Sequence, residues 1–292
     1  MARVAIVGPG AIGCVLAAHL AATGRHAITL CARTPFEGEL AVETPSGVLV
    51  ARPRVIVRAA DADTVDWVIV ATKAYDSAAA ASWLAALGGG PVAIAQNGVE
   101  HVERFAPFLP RERIVPLMVH VPAERVAPNR VLQRGPVLLV AGEDGLGRAL
   151  RELFEGTAVR VELASDLRTV LWRKLCFNAA GALNALVLEP AAALRDEKLG
   201  AAALQLVREC IAVGRAEGAV LEEGLAERVL AELRALPPDN VNSLLADRRA
   251  GRPMEIDARN GAVVRIGRMH GVATPCNELA VALLERARRT AG

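Results

Sequence analysis

The stretch Arg3-Val4-Ala5-Ile6-Val7-Gly8-Pro9-Gly10-Ala11-Ile12-Gly13 decides how this 292-residue chain begins to fold. Its first five residues read as a buried strand, and the Gly-x-Gly-x-x-Gly that follows opens a helix over Ala11–Thr23. Each glycine has a steric task. Gly8 permits the tight turn, Gly10 lets backbone approach a pyrophosphate, and Gly13 lets helix and strand pack closely. The loop Gly8-Pro9-Gly10-Ala11-Ile12-Gly13 then presents the positive end of a helix to phosphate charge. A glycine turn without a ligand is the alternative, and the strand and helix on its flanks weigh against it.

Working outward, the first half alternates apolar runs with helical stretches. Strands are expected at Arg3–Val7, Ala27–Leu30, Trp67–Ala71, Val92–Ala95 and Ile114–Val119, and helices at Ala11–Thr23, Ser77–Leu87 and Val99–Phe108. That alternation is the pattern of a parallel sheet covered by helices. Between Glu43 and Val57 a hairpin is expected around Pro45-Ser46-Gly47. A strand pair around Arg130–Ala141, punctuated by Gly135-Pro136, should finish the sheet. After about Ser165 the strand signals stop. Helices are expected at Asp166–Leu188, capped by Ser165 or Asp166, and then at Lys198–Glu217, Leu221–Ala235, Asn240–Ala250, Pro253–His270 and Asn277–Arg289. Gly218, Gly251 and Gly271 stand where helices should end. The expected division is residues 1–165, an α/β dinucleotide-binding domain, and residues 166–292, an all-α domain.

The second strand bears on which dinucleotide is held. An NAD-binding domain usually places an acidic side chain there for the ribose hydroxyls. From Gly8 to Phe36 the chain has no Asp or Glu, and the strand ends in Cys31-Ala32-Arg33-Thr34. A guanidinium suits a 2′-phosphate, which a carboxylate would repel, so NADPH/NADP+ is the expected cofactor. Lys73 and Asn97 follow the strands at Trp67–Ala71 and Val92–Ala95, where open α/β sheets bind ligands. A solvated lysine and an Asn-Gly turn are equally ordinary readings of those two positions.

Composition excludes other classes. The 34 basic and 32 acidic residues leave a formal charge of +2, without the basic stripe of a nucleic-acid binder. Apolar residues make up 53% of the chain, ample for two cores. Cys14, Cys31, Cys176, Cys210 and Cys276 lack metal-ligand spacing, so no metal is expected and free thiols in a reducing cytoplasm are. The immediate strand argues against a signal peptide. The uncharged stretches Val4–Gly24 and Ser77–Val99 are broken by glycine and proline turns, so no membrane span is expected. The apolar helices of the second half could cover one another or a partner subunit in a homodimer.

In that half, Trp172-Arg173-Lys174-Leu175-Cys176-Phe177-Asn178 sets Lys174 and Asn178 four apart on one helical face. Apolar surroundings push a lysine pKa down toward use as a proton donor, although the side chain could instead snorkel to solvent. Asn240-Val241-Asn242-Ser243 and Gly251-Arg252-Pro253-Met254-Glu255-Ile256-Asp257, with Asn260-Gly261, form the other polar cluster. On spacing alone Glu255 reads as first-turn dipole compensation after Pro253.

Over almost its whole length the chain resembles the ketopantoate reductase family. The matching stretches are the glycine loop, Thr72-Lys73-Ala74, Gln96-Asn97-Gly98, Trp172-Arg173-Lys174-Leu175 with Asn178, Ser243, and Gly251 through Glu255-Ile256-Asp257 to Asn260-Gly261. The resemblance implies a Rossmann-like domain joined to an all-helical domain like that of 6-phosphogluconate dehydrogenase, with the active site between them. It implies NADPH-dependent reduction of 2-dehydropantoate to pantoate, a step of pantothenate biosynthesis. Lys174 would be the proton donor, and Glu255 would contact the nicotinamide riboside and help position substrate and lysine. Asn97 would touch cofactor and substrate, while Lys73 and Arg33 would serve the cofactor. Asn178 and Ser243 would hold the substrate, with Asn240 assisting. Ala182 and Ala192 stand where the family usually has asparagine, with Asn184 two residues past the first. Those departures keep a related 2-oxo acid or ketone open as the substrate. A non-catalytic NADPH-binding sensor is the third reading, disfavoured by the retention of Lys174 and Glu255.

Overall fold

A computed structural model describes residues 1–36 and 38–289. The chain forms two compact units, Met1–Leu167 and Arg168–Gly292. The first is built from β1 (Ala2–Val7), α1 (Ala11–Ala22), β2 (His26–Cys31), β3 (Leu40–Thr44), β4 (Gly47–Ala51), β5 (Arg54–Ile56) and β6 (Trp67–Val70). It continues with α2 (Ser77–Ala86), β7 (Val92–Ile94), α3 (His101–Phe105), β8 (Ile114–Pro116), β9 (Met118–His120) and β10 (Ala123–Ala127). Strands β11 (Arg130–Gln133) and β12 (Val137–Gly142), helix α4 (Gly145–Leu153) and β13 (Val159–Ala164) complete it.

Six strands form one sheet in the order β5-β2-β1-β6-β7-β8, every neighbour parallel. The chain winds away from β1 in both directions, so the order reverses between β1 and β6. Ligands of such sheets bind outside the carboxyl ends of the strands at that reversal. Both faces are covered, as an all-parallel sheet requires. Leu84 of α2 and Phe105 of α3 pack on one face with Val7, Val68 and Val70. Helix α1 lies against the other, its residues Gly13 to Leu20 buried between that sheet and the strands β3, β11 and β12.

Three expectations are corrected. Ile114–Val119 is two strands in different sheets, because Pro116 ends β8 with no N–H to continue the ladder. The pair over Arg130–Ala141 is not a pair: β11 joins β10, β3 and β4, while β12 joins β9 and β13. The sixth strand of the main sheet is instead β5, from the end of the segment read as a hairpin. The hairpin itself is present, with Thr44 opposite Gly47 across Pro45-Ser46.

The second unit contains α5 (Leu167–Val187, its first residue in the preceding unit), α6 (Glu197–Ala216), α7 (Leu225–Ala235), α8 (Ser243–Arg249), α9 (Ala262–Met269) and α10 (Pro275–Arg289). Helix α5 is buried on most of its circumference, as its apolar sequence demands. Gly214 makes room for it: a Cβ there would lie 2.9 Å from Trp172 of α5. Gly218 ends α6 at φ +85°, and Ala219 N–H donates to Gly214 O at 2.9 Å to close the turn. The helix expected from Pro253 starts later. Residues 252–255 are irregular, and a π-helical turn, Asp257–Gly261, leads into α9. Among the described residues no helix is long and apolar enough to cross a membrane.

Buried amides bind these helices. Asn260 Nδ2 donates to Ala179 O at 3.1 Å and to Asn277 Oδ1 at 2.9 Å. Asn277 Nδ2 in turn donates to Leu206 O at 3.1 Å and Glu209 Oε2 at 2.7 Å, so α5, α6, α9 and α10 meet through two side chains. Asn277→Ala leaves Leu206 O and Asn260 Nδ2 without this partner and removes one of the donors to Glu209. Chemical denaturation should show a loss of about 3 kcal/mol with an unchanged denaturant slope.

Candidate active site

In the first unit the glycine loop has the contacts its sequence foretells. Gly8 sits at φ +89°, and a Cβ on it would come within 2.8 Å of Thr72 N, across the strand-order reversal. A Cβ on Gly13 would lie 2.5 Å from Gly8 O and 3.1 Å from Ile6 Cγ2, so only glycine lets α1 lean on β1. Gly10 is different. A Cβ there would meet nothing within 4 Å, so its backbone faces open space at the start of α1. No acidic side chain occupies the first turn of that helix. An anionic pyrophosphate fits such a cradle.

The neighbouring loops are held by Gln96, which is 2% exposed. Its Nε2 donates to Thr72 Oγ1 at 2.9 Å and approaches Lys73 O at 3.4 Å. Ser77 Oγ lies 3.1 Å from its Oε1, and His101 Nε2 is 3.0 Å from its carbonyl oxygen. Burial pushes the His101 pKa down to about 4, so the ring is neutral near pH 7 and Nε2–H is the donor. Lys73 and Asn97 stand on the two segments that Gln96 ties together, both partly buried. Sequence reasoning gave Gln96 and His101 no role, because a scaffold of side chain to main chain bonds leaves no spacing pattern.

Arg33 lies just past β2 with its side chain 85% exposed. The acid-free environment expected around it is only local in sequence, since Asp76 Oδ2 approaches Arg33 Nη1 to 3.4 Å from the loop after β6. An exposed pair of this kind contributes about 0–1 kcal/mol, so the guanidinium exchanges it readily for a phosphate. Arg33→Asp should weaken NADPH binding about 10- to 100-fold and NADH binding far less, as read by titration of cofactor fluorescence. Equal losses on both would remove Arg33 from the 2′-phosphate site.

In the second unit, Lys174 and Asn178 lie one turn apart on α5. The Lys174 ammonium sits 5.7 Å from the centre of the Phe177 ring. Burial lowers its pKa to about 8, with the positive charge of Arg259 adding to the effect. The lysine is thus partly buried, which weighs against the snorkelling alternative. Glu255 is 5% exposed and precedes the π-helical turn, so it is not the first-turn residue of a helix as its spacing suggested.

Arg259, on that turn, is 2% exposed. Its Nη2 donates to Asn178 O at 2.7 Å, and Nη1 lies 3.5 Å from Ser243 Oγ at the start of α8. Arg259 therefore joins three segments that carry predicted residues, and the sequence did not reveal it among so many arginines. Asn242, not Asn240, caps α8, accepting from Leu244 and Leu245 N–H at 3.0 Å. Asn240 is exposed in the preceding loop, its main chain tied to Pro237 and Ala191. Asn184 does not replace the amide absent at Ala182. Its Nδ2 is committed to Pro190 O at 2.8 Å and Glu189 O at 3.2 Å, closing the end of α5.

A doubly wound parallel sheet with an open phosphate cradle in the first unit, and a partly buried lysine on the first helix of the second, are the features of a dinucleotide-dependent oxidoreductase. The profile described as ketopantoate reductase PanE/ApbA matches residues 4–145, and that of its C-terminal region matches 166–288. The chain is 50% identical to a 2-dehydropantoate 2-reductase of Caulobacter vibrioides over 98% of its own length and 99% of the relative's. It is 38% identical to one of Mycobacterium tuberculosis, over 97% of each. A crystal structure of a PanE/ApbA family ketopantoate reductase from Ralstonia eutropha superposes with a TM-score of 0.92 at 30% identity, covering 99% of both chains. This chain belongs to the ketopantoate reductase family.

Proposed function

We propose that this protein catalyses the NADPH-dependent reduction of 2-dehydropantoate (ketopantoate) to pantoate, with Lys174 as the proton donor. The observation that carries the assignment of Lys174 is its partly buried ammonium, with a pKa lowered to about 8, one turn of α5 from Asn178. The loop Gly8–Gly13 holds the pyrophosphate, Arg33 and Lys73 serve the rest of the cofactor, and Asn97 contacts both cofactor and substrate. Glu255 contacts the nicotinamide riboside, and Asn178 and Ser243 hold the substrate, with Asn240 assisting from its loop. Five free cysteines support a reducing, cytoplasmic setting.

Bound in that cradle, NADPH supplies the hydride that reduces the keto carbon. Negative charge then gathers on the former carbonyl oxygen, where a nearby cation stabilises it. Lys174 meets both needs: its ammonium offsets the charge, then donates a proton to that oxygen, leaving a neutral amine and an alcohol. Solvent reprotonates the amine before the next turnover. The lowered pKa suits this work, because a donor near the operating pH releases its proton readily.

The assay follows NADPH absorbance after addition of ketopantoate. Oxidation of NADPH with other 2-oxo acids but not ketopantoate would refute the substrate; cofactor binding without turnover would refute the enzyme. Lys174→Ala should lower turnover about 10²- to 10⁴-fold with the fold intact by circular dichroism. Full activity in that variant would end the mechanism.

The pH profile gives an independent check on the sign. The ammonium form is the active one in the reducing direction, so kcat should be level below about 8 and fall above it as Lys174 loses its proton. A profile that instead rises through that range would assign Lys174 the opposite role.

A further inference from the structure

Arg259 has no part in the mechanism so far, although its position is costly. An arginine buried to 2% exposure must be matched by partners or by a bound anion. Its Nη2 donates to the main chain of Asn178, its Nη1 reaches Ser243 Oγ only at 3.5 Å, and its Nε has no hydrogen-bond partner. Space for the guanidinium comes from Gly181, where a Cβ would lie 3.2 Å from Nη2.

The charges around it are mixed. Arg259 is close enough to Lys174 to help lower the lysine's pKa. Glu255 and Asp247 act on Arg259 in the opposite sense. Asp247 is also engaged by the Arg252 Nε at 3.0 Å, so its charge is shared. The Arg259 Nε donor is left without a hydrogen-bond partner, and a substrate carboxylate near this pair of cations would be favoured.

We propose that Arg259 is the positioning residue that selects for the carboxylate of the substrate. It acts through Ser243: Nη1 approaches the Ser243 oxygen at 3.5 Å as a donor, which leaves the hydroxyl proton for the anion. The bond to Asn178 O fixes the guanidinium against the turn of α5 that carries Lys174. Asn184, the amide nearest in sequence, is committed to the end of α5 and leaves this task to the guanidinium. The inference rests on the reading of Lys174 and Ser243 as donor and substrate contact.

The test compares ketopantoate with ketopantolactone, which lacks the free carboxylate, in wild type, Arg259→Met and Arg259→Lys. Melting temperature and NADPH fluorescence titration establish that each variant is folded and binds cofactor. Arg259→Met should raise KM for the acid about 10- to 100-fold, with a smaller change in kcat and little change on the lactone. Arg259→Lys, which keeps the charge, should recover much of the acid's KM. An unchanged KM for the acid, or equal losses on acid and lactone, would overturn the proposal. If the Met variant does not fold, Arg259→Lys decides: an acid-to-lactone preference identical to wild type overturns it, and a preference reduced several-fold supports it.

The two readings fail differently. Should wild type ignore ketopantoate yet reduce 2-oxoisovalerate, the substrate reading falls, and the same comparison on 2-oxoisovalerate and its methyl ester still judges Arg259. Should wild type turn over neither, calorimetric titration of pantoate in the presence of NADP+ judges it. Weaker binding to Arg259→Met than to wild type supports the proposal, and equal binding overturns it.

Discussion

Two cations held near each other below the surface set the terms for the helical unit. Lys174 and Arg259 repel, and burial removes the water that would screen them. The unit tolerates the pair because Glu255 lies beside Arg259, a main-chain carbonyl of α5 accepts one of its donors, and the Phe177 ring lies near the lysine. The lysine is the softer partner. A guanidinium keeps its proton in almost any surroundings, so the strain is relieved by loosening the proton on the amine. Burial and the lowered pKa of Lys174 thus have one origin here.

The π-helical turn makes that arrangement possible. Gly261 N–H donates to Ile256 O, five residues back, at 3.0 Å. A turn widened by one residue shifts the side chains that follow it around the helix, and such turns are common at functional sites. Here it separates Glu255, ahead of the turn, from Arg259 and Asn260 within it. Asn260 then points to α5 and α10 as structural glue, while Arg259 points to Asn178 and Ser243. One irregular turn divides holding the fold from serving the site.

Much of this was legible in the sequence where a steric rule forces the residue. Gly8 and Gly13 are required by backbone closer than any side chain allows, and both were read correctly without coordinates. The lowered pKa of Lys174 was legible because a lysine in an apolar helix is expensive to keep charged. What could not be read depends on contacts distant in sequence. No local pattern says that Asp76 will approach Arg33, that Gln96 will tie two loops, or that Asn184 will bond Pro190 O. Sheet membership failed for the same reason. Strand signals ran β8 and β9 together and located β11 and β12, but which sheet β11 and β12 join depends on contacts distant in sequence.

The absence of asparagine at Ala182 and Ala192 also takes on a physical meaning. Both alanines are small, and Ala182 is fully buried among Leu206, Leu244 and Met254. An amide there would need partners in an apolar pocket that offers none, at a cost of about 1–3 kcal/mol. In the role proposed for it, Arg259 on the π-helical turn supplies that polar function from another element, with a longer, charged side chain. Exchanging neutral amides for a guanidinium also changes what the site rejects. Amides can serve a hydroxyl or a carbonyl as well as an anion, whereas a buried cation with an unfilled donor penalises any ligand that brings no negative charge. The proposed role of Arg259 would thereby tune the helical unit toward acids.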